Sequence, residues 1–355
     1  MKVGILSMQR VINYGSFLQA YALRKTVESL GHEVYFVDIK KGRQLDLPGK
    51  EKAPTHKAKL FELPKRVEHV LYLKKRRKLF YDRLFEEYGI NAPKDESELD
   101  FLVVGSDEVF NCLQSSPWGL SLQLMGDTAV PAISYAASCG YTTLEGLSKA
   151  GVAEEVSDAL KKYKAISVRD RNSATVVREI SGIEPQIHLD PVLIYDWTQE
   201  TDGAACRFRD YILVYGYDNR INREEEIAAI KRFAKEHRKK LISFGVYQRW
   251  CDKNVLCRPF ELVNYFMNAD YVVTDTFHGT VLSLKCNKQF ATIIRESNKN
   301  KITDLLSRFN LEERASEINR LSSVLETPVD YSPVNDMIAE ERKKTLAYLD
   351  TNIRL

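Results

Sequence analysis

The chain has 355 residues, of which 44% are hydrophobic and 28% charged, and its net charge is only +3. That length exceeds what one ordinary core needs, so we expect a globular protein of two domains. No apolar run reaches the ~18–20 residues of a membrane helix, and the first residues lead directly into a strand without a signal-peptide pattern. These features predict a soluble, cytoplasmic protein.

The cysteines argue against a metal knuckle or a disulfide scaffold. The chain has six of them, and none belongs to a Cys-x-x-Cys pair. That spacing suits neither a zinc knuckle nor a small stapled fold. We expect these thiols to be reduced and structural.

Strand patterns alternate with helical patterns from the beginning of the chain. A helix capped by Ser16 and ended by Gly31 follows the first strand, which is a β-α-β start. The strands predicted in the first half are Lys2–Ser7, Val34–Asp38, Phe101–Val104, Ala132–Tyr135 and Ala165–Val168.

A basic helical segment, residues 56–90, separates the second and third of these strands. Between Lys57 and Arg83 it carries ten Lys or Arg against three acids, with apolar residues interleaved. The pattern is typical of a solvated helix face, and also of helices that rest on anionic membranes or bind acidic partners. No zinc-finger, helix-turn-helix or RNA-binding signature accompanies it, so we expect no nucleic acid partner.

The alternation restarts after residue 200. Strands are predicted at Tyr211–Tyr215, Leu241–Phe244, Tyr271–Thr274 and Phe290–Ile294, with helices between them. We therefore expect an α/β protein of two doubly wound, Rossmann-like domains, residues 1–200 and 201–330. A final helix within residues 331–355 is expected to pack back across the domain junction.

One histidine lies where α/β enzymes place their chemistry. His278 follows the strand that begins at Tyr271, and a helix starting at Gly279 would direct free N–H groups at an anion. A histidine at a turn is more often a hydrogen-bonding or capping residue, so a functional role for His278 needs support from other segments of the sequence.

Four further polar segments follow predicted strands. Gly15 would let the backbone approach a ligand, and Asn13 could hydrogen-bond it. The carboxylate of Asp107 follows the strand Phe101–Val104. The guanidinium of Arg169, a group suited to bind carboxylate or phosphate, follows the strand Ala165–Val168. The segments are Asn13-Tyr14-Gly15, Gly105-Ser106-Asp107, Ser167-Val168-Arg169 and Asp190-Pro191.

Together with Thr274-Asp275-Thr276-Phe277-His278-Gly279, these segments resemble the polysaccharide pyruvyl transferase family over roughly residues 2–310. The resemblance implies two domains like those of GT-B glycosyltransferases, with the active site in the cleft. It implies transfer of a pyruvyl group from phosphoenolpyruvate to a sugar of a bacterial surface polysaccharide or cell-wall glycan, usually as a cyclic ketal. It implies no metal and no cofactor besides this donor substrate.

The resemblance also assigns residues. His278 matches the family's active-site histidine and is the candidate acid, and Arg169 matches an arginine that would hold the donor's carboxylate or phosphate. The other donor-binding candidates are Asn13, Tyr14, Gly15, Thr276, Phe277, Gly279 and Thr280, the last two through backbone N–H groups. Candidates that contact or orient the acceptor are Ser106, Asp107 and Asp275, whereas we expect Asp190 to be a structural cap.

Thr276 occupies a position where some family members carry arginine, and Arg295 or Lys285 are candidates to replace that contact. Three functions stay open. The first is a pyruvyl transferase acting on a lipid-linked or nucleotide-linked saccharide, in contact with the inner face of an anionic membrane through the basic segment. The second is a GT-B-type glycosyltransferase that uses a nucleotide sugar. The third is a non-catalytic carbohydrate-binding or assembly protein.

Overall fold

The computed structural model describes residues 1–45, 63–113, 117–202, 206–218 and 220–354, with the backbone alone for residues 63–65. The strands of the first sheet are β1 (Lys2–Leu6), β2 (Glu33–Val37), β3 (Phe101–Asp107), β4 (Ala132–Ala137), β5 (Ser167–Val168) and β6 (Gln186–Ile187). All pair in parallel, in the order β2-β1-β3-β4-β5-β6.

Helices cover this sheet and lead to the second domain. They are α1 (Tyr14–Glu28), α2 (Leu63–Leu79), α3 (Phe85–Glu87), α4 (Leu144–Lys149), α5 (Ala153–Leu160), α6 (Arg171–Ser181), α7 (Pro191–Ile194) and α8 (Thr198–Thr201). A π-helical turn, Phe80–Leu84, connects α2 to α3.

The second sheet is parallel as well. Its strands are β7 (Tyr211–Tyr215), β8 (Lys240–Phe244), β9 (Lys253–Val255), β10 (Tyr271–Thr274) and β11 (Gln289–Thr292), in the order β11-β10-β7-β8-β9. Its helices are α9 (Glu224–Glu236), α10 (Pro259–Asn268), α11 (Phe277–Lys285), α12 (Lys299–Arg308), α13 (Leu321–Glu326) and α14 (Ser332–Asn352). The predicted class, α/β with two doubly wound domains, is confirmed.

The burial of the central elements explains why they form. All seven residues of β3 are buried, as expected for a strand covered by helices on both faces. Helix α1 is buried along most of its length and begins at Tyr14, three residues before the start that a cap at Ser16 predicts. The reason is Asn13, whose side-chain oxygen accepts hydrogen bonds from the N–H groups of Gly15 and Ser16 and so caps the helix.

The two domains share one apolar core, which includes Val103 of β3 and Leu213 of β7. Helix α14 contacts both domains. Its Tyr348 hydroxyl donates to the carbonyl of Ser134 at 2.8 Å, and Glu341 pairs with Arg308 of α12 at 3.0 Å. The last helix therefore fastens the first sheet to the second domain.

Helix α2 contains seven of the ten Lys or Arg of the basic segment, whose residues 56–62 lie outside the described part of the chain. One face packs on the second domain, where the Tyr72 hydroxyl donates to the carbonyl of Val255 at 3.2 Å. The opposite face leaves Val67, Val70 and Leu71 about half exposed. Within the described ranges, no helix is long and apolar enough to cross a membrane.

Candidate functional site

The carboxyl ends of the two sheets face each other across a polar cavity of about 390 Å³. Loops that follow β1, β3 and β5 form one wall, and loops that follow β7, β10 and β11 form the other. This is where open α/β sheets bind ligands. We call it the main cavity, and its charged or aromatic lining includes Asp107, Arg169, Tyr217, Arg220, His278 and Lys301.

His278 lies in the first turn of α11 and is 7% exposed. The helix begins at Phe277, because the Thr276 hydroxyl accepts the N–H of Gly279 at 2.9 Å and caps it. The imidazole rests on the backbone of Gly15 from the other domain, where an added Cβ would lie 2.3 Å from its Cγ and Nδ1. The missing side chain of Gly15 thus makes room for His278, whereas we expected it to make room for a ligand.

Asp190 connects the histidine to the first domain. One of its oxygens, Oδ2, lies 3.5 Å from His278 Nε2, an ion-pair distance without a hydrogen bond, and accepts a hydrogen bond from Arg169 Nη1 at 2.9 Å. Oδ1 accepts the N–H of Val192 and caps α7. Burial acts to raise the pKa of Asp190, but the nearby His278 and Arg169 outweigh it and lower the pKa. Asp190 is a cap, as expected, and also part of the site.

Arg169 does not have the geometry of a free anion clamp. Its Nη1 is bonded to Asp190 and its Nη2 donates to Asp107 at 3.4 Å. Its guanidinium carbon lies 4.2 Å from the ring centroid of Phe277, and the side chain is 1% exposed. Two carboxylates therefore already compensate this charge, which argues against the predicted direct contact with the donor.

Asp107 faces the main cavity as a carboxylate. It accepts hydrogen bonds from the Ser16 hydroxyl at 2.7 Å and from the N–H of Glu108 at 2.9 Å. Burial alone would raise its pKa, but Arg169, His278 and the Ser16 hydroxyl lower the pKa to about 2. Asp107 therefore stays ionised at neutral pH.

Several predicted contacts are not available to a ligand. The N–H of Gly279 is bonded to Thr276, and the N–H of Thr280 donates to the Thr276 carbonyl at 3.2 Å. The first-turn amides of Phe277 and His278 donate to none of the described residues and remain the free donors of α11. The Tyr14 hydroxyl donates to the carbonyl of Cys257 at 2.6 Å, so it serves the domain interface.

Ser106 and Asp275 lie behind the cavity wall. Ser106 is fully buried and donates to the Ala136 carbonyl at 2.7 Å. Asp275 is also fully buried, and its Oδ2 lies 3.3 Å from Arg220 Nε. Burial raises the pKa of Asp275, against the opposing effect of the neighbouring arginines. Neither residue lines the cavity, which argues against the predicted contact with an acceptor.

Two cations of the main cavity escaped the sequence analysis. Arg220 follows β7, and its Nη2 donates to the Ser297 hydroxyl at 3.2 Å. Lys301, from α12, pairs with Glu108 across the cleft. Arg295 instead forms a two-pronged ion pair with Glu226, and neither it nor Lys285 lines the cavity. The strand-end rule could have found Arg220, whereas nothing in the sequence pattern indicates Lys301.

A smaller space of about 190 Å³ adjoins the main cavity. We call it the side chamber, and its lining includes Tyr14, Arg76, Tyr215, Asp218, Val246 and His278. Asn13 also lines both spaces. In the described part of the chain, no group of three or more His, Cys, Asp or Glu side chains could hold a metal ion.

Two parallel-sheet domains with a polar cavity between their carboxyl edges define a Rossmann-like protein of the GT-B type. Solved structures share this fold. UDP-GlcNAc 2-epimerase from Neisseria meningitidis, bound to UDP-GlcNAc, is 10% identical with a TM-score of 0.52 over 99% of this chain and 100% of its own. UGT89C1 from Arabidopsis thaliana, in complex with UDP, is 9% identical with a TM-score of 0.50 over 100% of both chains.

The sequence identifies the family more closely than these folds do. The family model for polysaccharide pyruvyl transferase matches residues 13–297. The chain belongs to this family of transferases. A comparison with curated protein sequences found no match.

Proposed function

We propose that the protein transfers a pyruvyl group from phosphoenolpyruvate to a pair of hydroxyls on a sugar, forming a cyclic ketal during bacterial surface polysaccharide or cell-wall glycan synthesis. The observation that carries this proposal is the pairing of His278 with Asp190 across the cleft, 3.5 Å apart, beside a cavity lined with cations. A positioned acid next to an anion site is what the reaction needs.

In this reaction, His278 gives a proton to C3 of the donor, which leaves C2 electron-poor. A sugar hydroxyl attacks C2 and returns a proton to the imidazole. The second hydroxyl then attacks C2 as the C2–O bond to phosphate breaks. Phosphate leaves with that electron pair and takes up the proton of the second hydroxyl. Asp190 lies 3.5 Å from Nε2 and helps to position the ring for this proton transfer.

The anionic donor is proposed to bind Arg220 and Lys301. Both line the main cavity, and each is paired with one carboxylate that a donor oxygen could supplement or displace. The free N–H groups of Phe277 and His278 supply further donors at the positive end of α11. The ionised Asp107 would favour the developing positive charge at C2.

The acceptor is proposed to be a lipid-linked or nucleotide-linked saccharide, used in the cytoplasm at the inner face of the membrane. Support comes from the exposed face of α2, where Val67, Val70 and Leu71 adjoin Lys74, Lys75 and Lys78, all exposed. Apolar side chains beside lysines suit an anionic lipid surface.

Incubation with phosphoenolpyruvate and a panel of p-nitrophenyl glycosides and nucleotide sugars tests the function, with phosphate release and acceptor mass as readouts. Phosphate release together with a pyruvylated product would support the proposal. Consumption of a nucleotide sugar without phosphoenolpyruvate would indicate the glycosyltransferase alternative. Binding of sugars without turnover of either donor would indicate a non-catalytic protein.

A further inference from the structure

His278 belongs to two compartments at once. Together with Val11, Asn13 and Tyr217, it lines both the main cavity and the side chamber. A ligand in either space therefore reaches the same imidazole. A reaction between two substrates and one acid needs this arrangement, because all three must meet at one point.

The two compartments differ in charge. In the main cavity, Arg220 and Lys301 are each paired with a single carboxylate beside the free N–H groups of α11, while Arg169 in the wall is already compensated by two carboxylates. In the side chamber, Arg76 and Asp218 are the permanently charged groups among the described lining residues, and they pair at 3.0 Å. The main cavity thus suits a multiply charged anion, whereas the side chamber suits a neutral, hydrogen-bonding molecule.

The Arg76–Asp218 pair keeps hydrogen-bonding capacity beyond its mutual contact. Arg76 donates to Asp218 and, at 3.4 Å, to the carbonyl of Gly245, which leaves other guanidinium N–H groups unused. Asp218 accepts from Arg76 and from the N–H of Tyr247 at 3.2 Å, and a carboxylate has further lone pairs. Adjacent donors and acceptors of this kind match neighbouring sugar hydroxyls, while Tyr14 and Val246 offer apolar surface to the sugar's C–H groups.

We infer that the side chamber binds the sugar of the acceptor, held by Arg76 and Asp218, while the main cavity holds the anionic donor. This inference rests on the proposed function and adds the place and chemistry of acceptor recognition. It also explains the position of α2, since Arg76 belongs to the helix whose opposite face is exposed and basic.

The test uses the full chain, phosphoenolpyruvate, and the p-nitrophenyl glycoside in whose presence phosphate is released fastest. Arg76→Ala and Asp218→Asn should each raise the KM for the glycoside about tenfold or more, with the KM for phosphoenolpyruvate within about twofold of wild type. Arg178→Ala is the matched control, because Arg178 is also a helical arginine near a carboxylate, Glu184, and lines neither space. It should change neither constant.

An unchanged donor KM shows that a variant is folded, so a folding defect cannot imitate the expected result. Unchanged glycoside kinetics, or equal rises in both constants, would overturn the inference while leaving the proposed function standing. If no glycoside supports phosphate release, saturation-transfer NMR with the same panel replaces kinetics. Glycoside binding lost in Arg76→Ala would then support the chamber even though the proposed function had failed, and binding retained in the variant or absent from wild type would overturn it.

Discussion

A single methyl group added at Gly15 should disable the site with little effect on the rest of the fold. In Gly15→Ala, the new Cβ would lie 2.3 Å from Cγ and Nδ1 of His278, whereas ordinary contact begins at 3.4 Å. The imidazole must therefore retreat by about 1 Å. A shift of that size at a reacting group can cost about 10²-fold in rate, which is the fall in kcat that we expect.

The effect on stability should be smaller, because two contributions oppose each other. Overpacking costs about 1–3 kcal/mol, while alanine in place of glycine within a helix contributes about 1 kcal/mol. We expect the free energy of unfolding to fall by up to about 2 kcal/mol. Urea unfolding measures this quantity, and phosphate release from phosphoenolpyruvate measures kcat.

A double-mutant cycle isolates the cause. In a His278→Gly background, which also removes the Cβ that would lie 2.6 Å from the added methyl group, Gly15→Ala should become neutral or stabilising. Equal destabilisation in both backgrounds would mean that the methyl group meets something other than His278. A single variant that keeps wild-type kcat would refute the packing of His278 on Gly15.

Four further outcomes are expected. His278→Gln should lower turnover about 10²–10⁴-fold and retain donor binding, and near-full turnover would exclude proton transfer by His278. Arg169→Lys should lower the free energy of unfolding by about 1.5–3 kcal/mol and leave the donor KM nearly unchanged, whereas Arg220→Ala should raise the donor KM about tenfold. A raised donor KM in Arg169→Lys with an unchanged donor KM in Arg220→Ala would instead indicate that Arg169 binds the donor. The pKa of Asp107 is lowered from 3.8 to about 2, so its carboxylate should contribute about 2 kcal/mol of stability above pH ~4. That contribution is lost as the pH falls towards 2. The difference in the free energy of unfolding between wild type and Asp107→Asn should therefore become smaller in unfolding experiments at acid pH. Replacing Lys74, Lys75 and Lys78 of α2 with glutamine should weaken binding to anionic vesicles about tenfold or more in sedimentation at low salt. If the parent protein does not bind the vesicles either, this face of α2 is only solvated.

The sequence predicted the long buried strands well because their apolar runs are continuous, as in β3 and β7. It missed β6, whose two residues are exposed and carry no apolar pattern. It placed the start of α1 three residues late and the start of α11 two residues late, because the caps Asn13 and Thr276 were interpreted as ligand contacts. Capping and binding use the same side chains, so a single sequence does not separate them.

The candidate site shows a similar division. The strand-end rule led to His278, Asp107 and Arg169, which the fold brings together. It could not reveal that two aspartates already hold Arg169, because that depends on the distance between strands far apart in sequence. Lys301 enters from α12 of the opposite domain, and its position depends on tertiary packing alone.

The position of His278 has a consequence for any attempt to divide the chain. The histidine belongs to one domain, while the glycine beneath it and the aspartate that faces it belong to the other. A fragment that ends or begins near residue 200 would lack at least one of the partners in this arrangement. The candidate site therefore forms only where both domains are packed together.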